Sequence, residues 1–117
     1  MVRRIEFQDT DEGTRLFVLL FNVFTASARR LSGMEELRAG VEIMDLRDSV
    51  SERVDADTRK LRRGAGTQAA QVSEFAYNLL VDIVDGFAWP PGAARDALWL
   101  RERLRDVPRT EQEKQDG

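Results

Sequence analysis

The sequence predicts a mainly helical, all-α domain: an up-down bundle of about four helices, with room for one short N-terminal strand. Three observations carry that expectation. Apolar residues recur at helical spacing in separate segments, capping and breaker residues stand between those segments, and 117 residues is the length of one domain. Apolar residues make up 42% and charged residues 33%, enough to bury a core without a disulfide or metal staple. Residues 1–108 therefore read as a single helical domain. Residues 109–117 (RTEQEKQDG) are wholly polar and read as a disordered tail.

Val2 to Phe7 (VRRIEF) alternates loosely and suits a strand, for which Val41 to Leu46 (VEIMDL) is the best candidate partner. Asp9 followed by Glu12 reads as a capping box, so a first helix is expected from about Thr10 to Leu31. Leu16, Phe17, Leu20, Phe21 and Phe24 share one face, while Val18, Leu19 and Val23 fall elsewhere on the wheel. A helix apolar nearly all round is either central in its fold or covered by another chain. Ser32 with Glu35 forms a second capping box, opening a helix from Gly33 past Val50. Its inward stripe reads as Met34, Leu37, Val41 and Met44, drifting then to Leu46, Val50, Val54 and Leu61, and Gly40 is a candidate kink.

Arg63 to Thr67 is the clearest linker. Val72, Phe75, Ala76, Leu79, Leu80, Ile83, Val84 and Phe87 then mark a third helix, stopped by Gly86 and Pro90-Pro91. Pro91 suits the first position of a fourth helix, with Ala94, Ala97, Leu98, Leu100, Leu104 and Val107 facing inward.

The chain has no Cys and no His. Disulfides, thiolate metal sites, Ser-His-Asp and Cys-His catalysis are excluded, which leaves carboxylates with a hard cation, or Lys and Tyr, for any chemistry. The net charge of −3 gives no global attraction to nucleic acid or anionic lipid. Leu16 to Phe24 followed by Ala26-Ser27-Ala28 has the outline of a secretory signal, but Glu6, Asp9, Asp11 and Glu12 spoil the positive leading region. The run is too short to span a bilayer. A cytoplasmic protein without membrane contact is expected.

Three groups compete for function. The first is apolar: Leu16, Val18, Leu19 and Val23 on the first helix, with Trp89 and Trp99 as interface anchors. These point to a non-enzymatic helical interaction module, a subunit, adaptor or inhibitor such as a bacterial or phage regulator, bound to a protein partner or to its own copies. The second is basic: Arg59, Lys60, Arg62 and Arg63 crowd ahead of Gly64 and Gly66 and suit phosphates of a nucleic acid. The third is acidic: Asp45 and Asp48 with Asp82 and Asp85, within the longer stripe Glu42 to Asp55. Facing carboxylates from two helices can hold Mg²⁺. That pattern is loosely similar to the all-α nucleotide pyrophosphohydrolases, which use ExxE and ExxD pairs; here Asp stands at the matching places and the gap is longer. The resemblance implies a Mg²⁺-dependent nucleotide hydrolase. The interaction reading implies no cofactor and leads the three.

Overall fold

Alternation in the first residues does produce a strand, and it organises the rest. The computed structural model describes residues 2–64 and 66–110. Strand β1 (Val2–Phe7) leads into helix α1 (Asp11–Ala26), helix α2 (Gly33–Ser51), strand β2 (Gln68–Ser73) and helix α3 (Glu74–Gly86). A single 3₁₀ turn, Pro91–Ala93, then feeds helix α4 (Ala94–Arg105) and the two-residue strand β3 (Arg109–Thr110). Among the described residues the protein is mainly helical, with a small antiparallel sheet of order β2-β1-β3. An up-down order of four helices is not confirmed, since β2 intervenes between α2 and α3.

The partner of β1 is β2, not residues 41–46: Val2 pairs with Ser73, Ile5 with Ala70 and Phe7 with Gln68. Residues 41–46 belong to α2, where Ala39, Ile43, Leu46 and Val50 are buried at helical spacing. Arg109–Thr110, assigned to the tail, extend the sheet opposite Val2 and Arg3. Residues 111–117 lie outside the described residues.

One face of β1 is buried and the other exposed, as period-2 geometry requires. Ile5 and Phe7 point into the helices, where Phe7, Phe17 and Phe21 form an aromatic cluster with centroids 5.3–6.3 Å apart. Leu20, Ile43, Leu80, Leu100 and Leu104 complete the centre of the core. Arg3 lies on the same buried face: its guanidinium pairs with both Glu74 oxygens at 2.9 and 3.1 Å, donates to the Val107 carbonyl at 3.0 Å and stacks 4.0 Å over Tyr77. Tyr77 in turn donates to the Leu104 carbonyl. This network ties the first strand to α3 and to the end of α4.

Local signals needed correction at three helix starts. Thr10, not Asp9, caps α1, its Oγ1 accepting from Gly13 N at 3.2 Å. Ser32 makes no side-chain cap; Glu36, one residue later than expected, accepts from the Ser32 N–H at 3.1 Å. Ser73 caps α3, so Val72 belongs to β2 and not to the third helix. Helix α1 stops at Ala26 rather than Leu31, because Ser27 turns to an extended conformation. Leu31 then folds back onto α2, its Cδ1 lying 2.5 Å from where a Gly40 Cβ would sit. Gly40 thus admits a neighbour, and α2 runs through it unbroken.

Candidate interaction surface

The apolar surplus expected on α1 is largely consumed by the fold. Val23 is only 3% exposed and belongs to the core, so it is unavailable to a partner. Leu16 and Leu19 are half-buried against that core, and Val18 alone of the four is exposed. Helix α1 is the middle of the domain: it meets β1, α2, α3 and α4. Trp89 packs edge-on against Phe87 with centroids 5.3 Å apart, and its Nε1 donates to the Val84 carbonyl at 3.4 Å. It closes the corner between α3 and α4. Trp99 is half-buried beneath two guanidiniums, Arg15 at 4.2 Å and Arg103 at 5.3 Å from its ring centroid. Arg15 and Arg103 also pair with Asp96 and Glu12, so α1 and α4 are joined across that ring.

The apolar surface that the core leaves out stands on α2. Met34 is 64% exposed, Leu37 47% and Val41 60%, while Met44 beside them is half-buried. Spacings of three and four residues put these side chains on one stripe. It lies opposite the buried face of Ala39, Ile43, Leu46 and Val50. The sequence puts Met34, Leu37, Val41 and Met44 inward before the stripe drifts; the structure turns that first part outward, while Leu46, Val50 and Leu61 of the later part are buried. Small residues at Ala39 and Gly40 explain the reversal, since they let α2 approach the rest of the chain where bulkier side chains would hold it off. Leu98, also expected inward, is 68% exposed on α4, and Phe75 is exposed at the start of α3. Each of these stands singly, as many surface apolar residues do.

The basic cluster is held by the chain's own acids. Arg63 pairs with Asp11 at 2.9 Å, Lys60 approaches the same carboxylate at 3.6 Å, and Arg62 donates to the Glu52 carbonyl at 2.9 Å. Arg59 is exposed and sits at a φ of 60°, the left-handed region unusual for a side-chain-bearing residue. The loop beyond it wraps an anion already: Asp9 Oδ2 accepts from Gly64 N at 2.7 Å and from Gly66 N at 3.3 Å. Both glycines have φ near +83°, so the turn that presents those N–H groups needs residues without a Cβ.

These backbone bonds, led by Gly64 and then Gly66, hold the Asp9 carboxyl below its usual 3.8. A carboxylate with a lowered folded pKa contributes stability that is complete above the unfolded value and is lost as pH falls through the folded one. Asp55, bonded by the Asp57 and Thr58 N–H groups, and Glu36, bonded by Ser32 N–H and Arg29, are shifted the same way. Thermal stability should therefore fall below about pH 4, and Asp9→Asn should flatten that decline. Melting curves from about pH 6 to about pH 2 test this; an unchanged slope in the variant would contradict it.

The four carboxylates proposed for a metal are not brought together. Glu42 in α2 accepts from Ser73 at the start of α3, while Arg29 links Glu36 in the first turns of α2 to Asp82 near the end of α3. The two helices run antiparallel, so Asp45 and Asp48 lie at the opposite end of the pair from Asp82 and Asp85. Asp85 pairs with Arg101 at 2.7 Å and Asp48 with Arg47 at 3.2 Å, both at the surface. Among the described residues no group of three or more acidic side chains is placed to hold a metal ion. Nor, among them, is any helix long and apolar enough to cross a membrane. A groove of about 270 Å³ between β1, α1 and α4 has Arg4, Glu6, Glu12 and Arg103 on its walls, already paired as Arg4–Glu6 and Arg103–Glu12. No family model, no curated protein and no solved structure matches this chain.

Proposed function

We propose that this chain is a non-enzymatic helical interaction module, a cytoplasmic subunit, adaptor or regulator that acts within an oligomer or a complex. The observation that carries this reading is the second apolar face of α2, with Met34, Leu37 and Val41 standing in water on a helix whose other face is already buried. Three large apolar side chains in one row lose hydration most simply against another protein surface, each contributing up to about 1.5–3 kcal/mol when covered. A cytoplasmic location accords with the role of Leu16 to Phe24. Cleavage after Ala28 would remove β1 and α1, and with them Ile5, Phe7, Leu20 and Phe21 of the core.

The test is retention. Tagged wild type and a tagged Leu37→Glu, Val41→Glu double variant are compared as bait, with untagged chain and with host extract. Because both positions face outward, the variant should fold with a melting temperature within a few degrees of wild type. Wild type should retain a stoichiometric species that the variant loses. Equal retention of the same species by both would contradict the reading.

A further inference from the structure

The residues along the outer face of α2 are arranged symmetrically about Val41. Arg38 and Asp45 stand three residues before it and four after it, along one flank of the apolar stripe. Leu37 and Met44 stand four before and three after, along the other flank. Residues seven apart lie two turns apart on the same side of a helix, so each pair forms its own row. Arg38 and Asp45 are both exposed, and among the described residues neither makes an ion pair. Two further charged groups near this face are paired within the chain: Asp48 with Arg47, and Glu36 with Arg29. Arg38 and Asp45 thus stand as one cation and one anion along a single flank, on either side of Val41 along the helix.

We propose that the surface covering α2 is a second copy of this chain, its α2 packed antiparallel on the first across a two-fold axis at Val41. A two-fold operation makes a self-complementary interface, in which each contact occurs twice. Turning α2 about Val41 places Val41 on its own copy, Leu37 on Met44, Arg38 on Asp45 and, at the ends of the row, Met34 beside Asp48 of the other chain. The rise of 1.5 Å per residue puts Arg38 at about 4.5 Å to one side of the axis and Asp45 at about 6 Å to the other, close enough to pair across the helices. In a parallel arrangement this flank of one helix meets the opposite flank of its copy, so Arg38 and Asp45 do not come together; only the antiparallel arrangement pairs them. The apolar row supplies the attraction and the two ion pairs supply register. One helix pair is a small interface, so the dimer should be concentration-dependent rather than permanent.

This inference rests on the reading of the chain as an interaction module, and charge reversal separates the two. Full-length wild type, Arg38→Asp and Asp45→Arg are measured by light scattering after size exclusion, from about 1 μM to about 1 mM. Wild type should pass from monomer to dimer. Each single reversal creates two like-charge contacts and should weaken dimerisation about tenfold or more. An equimolar mixture of the two variants should restore it. One variant then carries two acids along this flank and the other two bases, so both contacts between unlike chains join opposite charges. Thermal melts confirm that both variants fold; the milder Arg38→Glu and Asp45→Lys serve the same purpose should either fail. A wild type monomeric throughout overturns the second copy, and so does a dimer that both reversals leave unchanged. If the wild type is monomeric but Leu37→Glu, Val41→Glu still loses a different retained protein, the inference falls and the interaction module stands.

Discussion

Replacing Gly13 with Ala should destabilise the protein more than any other addition of one methyl group at a described glycine. An added Cβ would lie 1.8 Å from the Gln8 carbonyl oxygen and 2.7 Å from its carbon. Both are backbone atoms at the end of β1 and cannot rotate away, so the whole first turn of α1 has to lift. That turn also carries the Thr10 cap, whose acceptor meets the N–H of Gly13 itself. Overpacking of this kind costs about 3 kcal/mol or more, despite the gain of nearly 1 kcal/mol in helix propensity. For a domain of this size that corresponds to a fall in melting temperature of roughly 10–15 °C. Gly86→Ala is the matched control, since nothing lies within 4 Å of its added Cβ. It should leave stability unchanged or raise it by about 0.5 kcal/mol. Equal melting temperatures for the two variants would contradict the packing of α1 on β1.

The second large effect belongs to Arg3. Arg3→Met removes two bonds to Glu74, one to the Val107 carbonyl and the stacking on Tyr77. It leaves a partly buried carboxylate without the cation that faced it, a loss of about 3 kcal/mol. Glu74 keeps some contact with water, so the lower part of the usual range applies. Adding Glu74→Gln should recover part of that loss, because the side chain no longer carries the charge that Arg3 balanced. Urea denaturation of wild type, both singles and the double variant measures the coupling. Strict additivity would mean that the two side chains do not act as a unit.

Neither residue is conspicuous in the sequence. Gly13 follows two acids at a helix start, where glycine ordinarily reads as tolerated, and only the approach of Gln8 makes it obligatory. Arg3 alternates with Ile5 and Phe7, so period-2 geometry placed it on the buried face, but its partner lies 71 residues away. The strand β2 was hidden for a related reason. Gln-Ala-Ala-Gln favours a helix by local propensity, and it becomes a strand because β1 needs an antiparallel neighbour. The long apolar runs of α1 and α3, whose interior positions outnumber any alternative, were legible throughout. Boundaries were less so: Ser27 and Ser73 decide where α1 ends and α3 begins, and several Ser residues offered equally good local signals.

The surface was legible as a need but not as a place. An excess of apolar residues over what one small core can hide is visible from composition and periodicity. Its assignment to α1 was mistaken because that helix lies in the centre, surrounded by β1 and the other three helices. On α2 two apolar rows compete, Met34-Leu37-Val41 and Ala39-Ile43-Leu46-Val50. The first is favoured by the larger side chains of the opening turns, yet the second wins there because Ala39 and Gly40 permit close approach. A rule that weighs small residues as contact makers would have chosen correctly. The basic and acidic clusters read differently once folded, since Asp11 answers Lys60 and Arg63, Arg29 answers Asp82 and Arg101 answers Asp85, all from other elements.

On this reading α2 carries one apolar face for folding and another for association with its own copy. Sedimentation velocity of wild type and of Leu37→Glu, Val41→Glu over the same concentration series tests it most directly. The wild-type sedimentation coefficient should rise with concentration, and the double variant should stay monomeric while melting within a few degrees of wild type. Identical, concentration-independent profiles for the two proteins would contradict it.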